Sequence, residues 1–94
     1  MVQTKKRGSS THRGRLDIIA DILVASYGGV KKTYLMYRCN LSFRQLKYYL
    51  HFMLKKELLQ VVAPSGDSNP GLFKATDKGR KFLKAYKNLT ALMK

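Results

Sequence analysis

NLSFRQLKYYLHFMLKKE, residues Asn40–Glu57, carries both a start signal and the two-sided periodicity of an amphipathic helix. Ser42 is placed to cap it, and Gln45 three residues on completes an S-x-x-Q capping-box pattern. Leu46, Leu50, Met53 and Leu54 recur at helical spacing and define one apolar stripe. Arg44, Lys47, Tyr48, His51 and Lys55 fall together on another face. A helix apolar on one side and cationic-aromatic on the other has the chemistry to enter a DNA groove, provided its neighbours build a suitable frame.

The residues before it supply half of that frame. Val30–Cys39, VKKTYLMYRC, reads as a short helix with Thr33 as cap and Leu35, Met36 and Cys39 as its apolar positions. Lys31 and Lys32 stand just ahead of it. Asn40-Leu41-Ser42 then makes a tight turn around one apolar residue. Short helix, turn and capped longer helix are the helix-turn-helix arrangement. Further back, Arg15–Tyr27 is nearly continuous in apolar residues, interrupted by Asp17 and Asp21, which are four apart and share a face. It is predicted to be a mostly buried helix with one narrow wet strip, ended by Gly28-Gly29. The two acids read as solvated carboxylates near a helix start, where the helix dipole favours them. With no histidine or third carboxylate beside them they do not make an acid–base site.

The residues after it supply the rest. Leu58–Ala63, LLQVVA, is apolar and β-branched, Pro64–Gly71 is a dense turn cluster, and Leu72–Ala75 is a second short strand. A hairpin directly behind a helix-turn-helix is a wing. Its tip holds Asp67 and neither lysine nor arginine. Tip contacts to phosphate would fall to Ser65, Ser68, Asn69 and backbone N–H groups, so a structural hairpin is the favoured reading, with Lys74 at its base as the exception. Thr76 caps a last helix, with Asp77 in its first turn. Phe82, Tyr86, Leu89 and Met93 form a stripe that outruns the small domain, and an antiparallel pairing with a second copy is expected to cover it. Folding fully back onto its own core is the other reading.

The fold class is therefore mostly α with a small β-hairpin: a winged helix-turn-helix with an additional C-terminal helix. Residues 1–14 are expected to be a basic flexible arm carrying Lys5, Lys6, Arg7 and Arg13, and residues 15–94 the domain, with about 76–94 as its dimerisation helix. The arm would touch phosphates or a minor groove, or serve as a solubilising tail.

Bulk composition agrees. The 94 residues hold 19 Lys+Arg against five acids, a net charge of +14, which points to polyanionic partners. Cys39 is the only cysteine, so no intrachain disulfide forms, and no Cys/His set suggests a metal. No apolar run suits a secretory signal or a membrane span, which suggests a cytoplasmic, nucleoid-associated protein. Neither a phosphate loop nor a catalytic triad is present, so an enzyme is not expected, nor a cofactor or small-molecule substrate.

The motifs also carry a family resemblance. Lys32-Thr33-Tyr34-Leu35-Met36-Tyr37-Arg38-Cys39-Asn40-Leu41-Ser42 is similar to the K-T-x-[IL]-M-Y-x-x-N-L-S segment of archaeal winged-helix proteins of the small basic 10a type from Sulfolobales. Thr76-Asp77-Lys78-Gly79 matches the T-x-K-G block that opens their last helix. The resemblance spans about residues 14–90. It implies a winged helix, a dimer through C-terminal helices, DNA as ligand and no enzymatic activity. Ending at Lys94, the last helix is shorter than the coiled-coil arm of the best-known members, a compact form that suits a specific regulator, a plasmid- or virus-borne one included, as much as a general chromatin protein.

The expected function is thus sequence-specific binding of double-stranded DNA by a homodimeric transcriptional regulator. Ser42, Arg44, Gln45, Lys47, Tyr48, His51 and Lys55 form the recognition-helix set. Arg44 and Lys47 are the first candidates for base edges, since arginine in a groove most often reads guanine. Gln45 is partly committed to its cap, and His51 is either a contact or a polar residue on a basic face. Lys31, Lys32, Lys74 and the arm would position the protein on phosphates. A non-specific chromatin protein is the alternative, with RNA binding behind it.

Overall fold

A computed structural model describes residues 13–62 and 71–93. The chain forms α1 (Arg15–Ala25), α2 (Lys32–Arg38), α3 (Phe43–Lys55), β1 (Leu59–Val62), β2 (Leu72–Ala75) and α4 (Asp77–Leu92). The order is that of the winged helix-turn-helix expected from the sequence. The wing tip and the arm residues Lys5, Lys6 and Arg7 lie outside the described residues.

One apolar core holds the elements together. Ile18, Ile19, Ile22 and Leu23 of α1, Leu35 of α2, Leu46, Leu50 and Met53 of α3, Leu59 and Ala75 of the hairpin and Leu83 of α4 are all buried in it. The apolar stripes at helical spacing face inward for the usual reason, removal of hydrocarbon from water. Cys39 is a free buried thiol in the same cluster, and burial pushes its pKa up.

The hairpin pairs Leu59 with Ala75 and Val62 with Leu72 in antiparallel register. A third segment joins it. Val30 and Phe73 exchange both backbone hydrogen bonds, at 2.9 and 2.7 Å, and the Ala75 N–H donates to the Ser26 carbonyl at 3.1 Å. The loop after α1 is thereby stitched to β2, with Gly29 supplying the positive φ of 93° that the turn requires. This bridge was not anticipated, because a single paired residue leaves no alternation to read.

Three local expectations are corrected. The cap residue of α2 is Lys31, not Thr33, which lies inside the helix; no side chain caps that end. Asp17 is not a solvated carboxylate. Its Oδ2 accepts the Gly14 N–H at 2.9 Å, and its Oδ1 accepts the Tyr86 hydroxyl from α4. Arg13 and Gly14, assigned to the arm, belong to the folded unit.

Candidate nucleic-acid interface

Helix α3 begins as the capping box predicts. The Gln45 N–H donates to Ser42 Oγ at 3.1 Å, and the Ser42 N–H donates to Gln45 Oε1 at 2.9 Å. Asn40, at φ 55°, takes the left-handed conformation that asparagine tolerates and turns the chain from α2 into α3. Leu41 is buried beneath that turn. Two orphan donors are satisfied at the start of α3, which gives its first turn a defined position.

The outer face of α3 presents Arg44, Lys47, Tyr48, His51 and Lys55, all exposed. No acid occurs between Asp21 and Glu57. Asp21 itself is neutralised elsewhere: Arg13 Nη1 donates to its carboxylate at 3.0 Å. The same guanidinium donates to the Cys39 carbonyl at 2.8 Å and the Asn40 carbonyl at 3.2 Å. Arg13, anticipated as a phosphate contact, therefore clasps α1 to the end of α2. Ser42 and Gln45 are present at the interface, but their capping bonds occupy the Ser42 hydroxyl as acceptor and the Gln45 carbonyl.

Sequence reasoning missed one component. Arg15, in the first turn of α1, lies 5.7 Å from the centre of the Tyr48 ring and 5.9 Å from that of Phe52. A cation at a helix start opposes the helix dipole, so its own helix does not explain it. Stacking over two rings of α3 does. Tyr48 also meets Tyr49 edge to face at 5.1 Å, and Lys56 reaches over Phe52 at 6.0 Å. The result is a row of cations interleaved with aromatic rings that runs from α3 onto α1. Only the three-dimensional crossing of the helices brings Arg15 there, and no local spacing could reveal it.

A second such pair stands at the other end. The Lys32 ammonium is 5.5 Å from the ring centre of Phe43, which is exposed at the start of α3. Lys31 is exposed beside it, whereas Lys74 is half-buried on β2. Among the described residues no cluster of three or more His, Cys, Asp or Glu is placed to hold a metal ion, and no helix is long and apolar enough to cross a membrane.

The stripe of α4 divides into two parts. Phe82 and Tyr86 are half-buried against the core, and with Leu16, Ala85 and Leu89 they line an apolar groove between α1 and α4. Leu89, Leu92 and Met93 are exposed at 54, 81 and 80%.

Helix-turn-helix, wing and closing helix define a class, and comparison with known proteins agrees. The family model described as winged helix-turn-helix matches residues 12–94, and the chain belongs to that family. Among solved structures the fold resembles Sso10a-2, a DNA-binding protein from Sulfolobus solfataricus. The TM-score is 0.75 at 18% identity, over 86% of this chain and 82% of that one. It also resembles a mutant of MepR from S. aureus, with a TM-score of 0.71 at 11% identity over 90% of this chain and 64% of that one. No curated protein matches the chain in sequence.

Proposed function

We propose that this chain is a homodimeric transcriptional regulator that binds double-stranded DNA in a sequence-specific manner, with α3 in the major groove. The observation that carries this reading is the exposed, acid-free, cationic-aromatic face of a helix whose start is fixed by a capping box. Arg44 and Lys47 lie toward its N-terminal half, the part that meets base edges when such a helix docks. Tyr48 and His51 follow, and Arg15, Lys31, Lys32, Lys55 and Lys56 flank them as phosphate contacts. The likeness to Sso10a-2, a DNA-binding protein, supports the ligand class. The dimer is supported by the exposed apolar end of α4, where Leu89, Leu92 and Met93 continue the charge-free groove at Leu16 and Phe82.

One observation favours the second reading, a DNA-coating chromatin protein. Ser42 and Gln45 commit their oxygens to the cap, which leaves fewer groups to distinguish bases. Selection of bound duplexes from a random library separates the two. Enrichment of a palindrome with half-sites about one helical turn apart supports a dimeric regulator. Uniform recovery of all sequences supports the chromatin protein. If about six phosphates are neutralised, log affinity falls against log salt with a slope of roughly −5, and a flat dependence refutes DNA binding altogether.

A further inference from the structure

Among the described residues, two grooves of opposite chemistry lie between α4 and α1. The one at Leu16 and Phe82 carries no charge. The other lies between α4 and the C-terminal end of α1 and is about 670 Å³ in volume. Its apolar surface comes from Val24, Tyr27 and Leu83, and its rim from Arg80, Lys81, Lys84 and Lys87. No carboxylate lines it. Nothing in the recognition surface calls on these residues.

We infer that this second groove is a binding site for a small amphipathic organic anion, an aryl carboxylate or sulfonate. The volume is within the range of pockets for small organic ligands, which pair an apolar lining with a few polar groups. Val24 and Tyr27 are about half exposed, at 47 and 50%, leaving apolar area that a ligand would cover. The Arg80 guanidinium stacks on Tyr27 with its centre 4.9 Å from the ring centre, which holds the cation in position at the edge of the apolar surface. Arg80 Nε is buried and has no hydrogen-bond partner among the described residues, and its one carboxylate neighbour, Asp77, sits at 3.6 Å on the exposed side. The site thus has an aromatic wall, a pre-oriented guanidinium and three flanking ammonium groups.

Charge decides among occupants. A second copy of this chain, itself at +14, would bring cations against a cationic rim, whereas the charge-free groove presents no such barrier. A DNA backbone would satisfy the rim but gain nothing from Val24, Tyr27 and Leu83. An anion with an apolar ring satisfies both. The inference stands independently of DNA binding.

Anilinonaphthalene sulfonate is a suitable probe, titrated into the full chain and followed by methyl NMR. The expected result is one saturable site per chain with shifts at Val24 and Leu83. Affinity should fall at least about tenfold, or 1.4 kcal/mol, in Lys84→Glu and in Val24→Glu, while Lys47→Glu on α3 leaves it unchanged. Removing the sulfonate from the probe should weaken binding to a similar degree, and Arg80→Gln should do so without charge reversal. Circular dichroism establishes that each variant is folded. Shifts centred on Leu16, Leu89 and Met93, indifference to all three groove substitutions, or displacement of the probe by duplex DNA would each overturn the assignment.

Discussion

The Tyr86 hydroxyl donates to the Asp17 carboxylate, joining the last helix to the first across 69 residues of sequence. It is a charge-assisted bond between two half-buried groups, and its consequences run in both pH directions.

Tyr86→Phe should lower stability at neutral pH by about 1–2 kcal/mol, read by urea denaturation. The bond and the Gly14 N–H hold the Asp17 pKa below its ordinary 3.8. Its contribution is therefore present above about pH 4 and lost as pH falls through the depressed folded value. The Tyr86 pKa is raised from 10.0 to about 12. That contribution is full below pH 10 and disappears as pH rises toward 12. The difference between wild type and Tyr86→Phe should thus be largest in the middle of the range and shrink at both ends. A difference independent of pH would show that the phenol acts through packing alone.

Gly79→Ala tests helix propensity against packing. In an open helix the change stabilises by up to about 1 kcal/mol. Here the added carbon would come within 2.2 Å of the Leu58 carbonyl oxygen and 2.9 Å of Leu23. Backbone on one side leaves little room to yield, so a net loss of about 1–3 kcal/mol is expected in thermal or urea unfolding. A gain in stability would mean that α4 can move away from β1.

Arg13→Ala should cost about 1–2 kcal/mol of stability, because it removes hydrogen bonds to Asp21, Cys39 and Asn40 at once. Arg13→Lys should recover only part of it, since a single ammonium does not reproduce the guanidinium fork. Neither variant should change the salt slope of DNA binding. A slope shallower by about 1 would return Arg13 to the phosphate contacts.

Arg15 and Tyr48 should be coupled in DNA binding. Arg15→Ala and Tyr48→Leu are each expected to weaken affinity, and the double variant to lose less than their sum by about 0.5–1 kcal/mol. Additive losses would make Arg15 an ordinary surface cation.

Glu57 occupies the left-handed region at φ 62° directly after α3. Glu57→Gly should raise the melting temperature, the relieved strain being worth about 1 kcal/mol. Asn40→Gly, at φ 55°, should gain less, because asparagine already tolerates that conformation.

Much of the fold was legible because its signals are local. Ser42 with Gln45, and Thr76 with Gly79 behind it, show their caps within four residues, and the inward stripe of α3 repeats at helical spacing. What escaped reading depends on distance. Asp17 looked solvated because its partner Tyr86 lies far along the chain, and Arg13 looked free because it binds carbonyls, which no side-chain pattern records. Thr33 drew the cap of α2 because threonine is a good capping residue, yet Lys31 holds the position without a side-chain bond. The cationic face of α3 was legible in full, whereas Arg15 joined it only through the crossing of two helices.

Thr76 sits at the joint between α3 and α4. Its hydroxyl accepts the Gly79 N–H at 2.9 Å while donating to the Glu57 carbonyl at 2.5 Å, and its own N–H bonds the Leu58 carbonyl at 3.1 Å. The residue that starts the last helix is thereby clamped to the chain leaving α3, and the two helices are linked like the arms of a welded caliper. If α4 pairs about a two-fold axis, the gap between the two reading helices is a fixed gauge. A DNA site of the wrong pitch would have to twist to meet the protein.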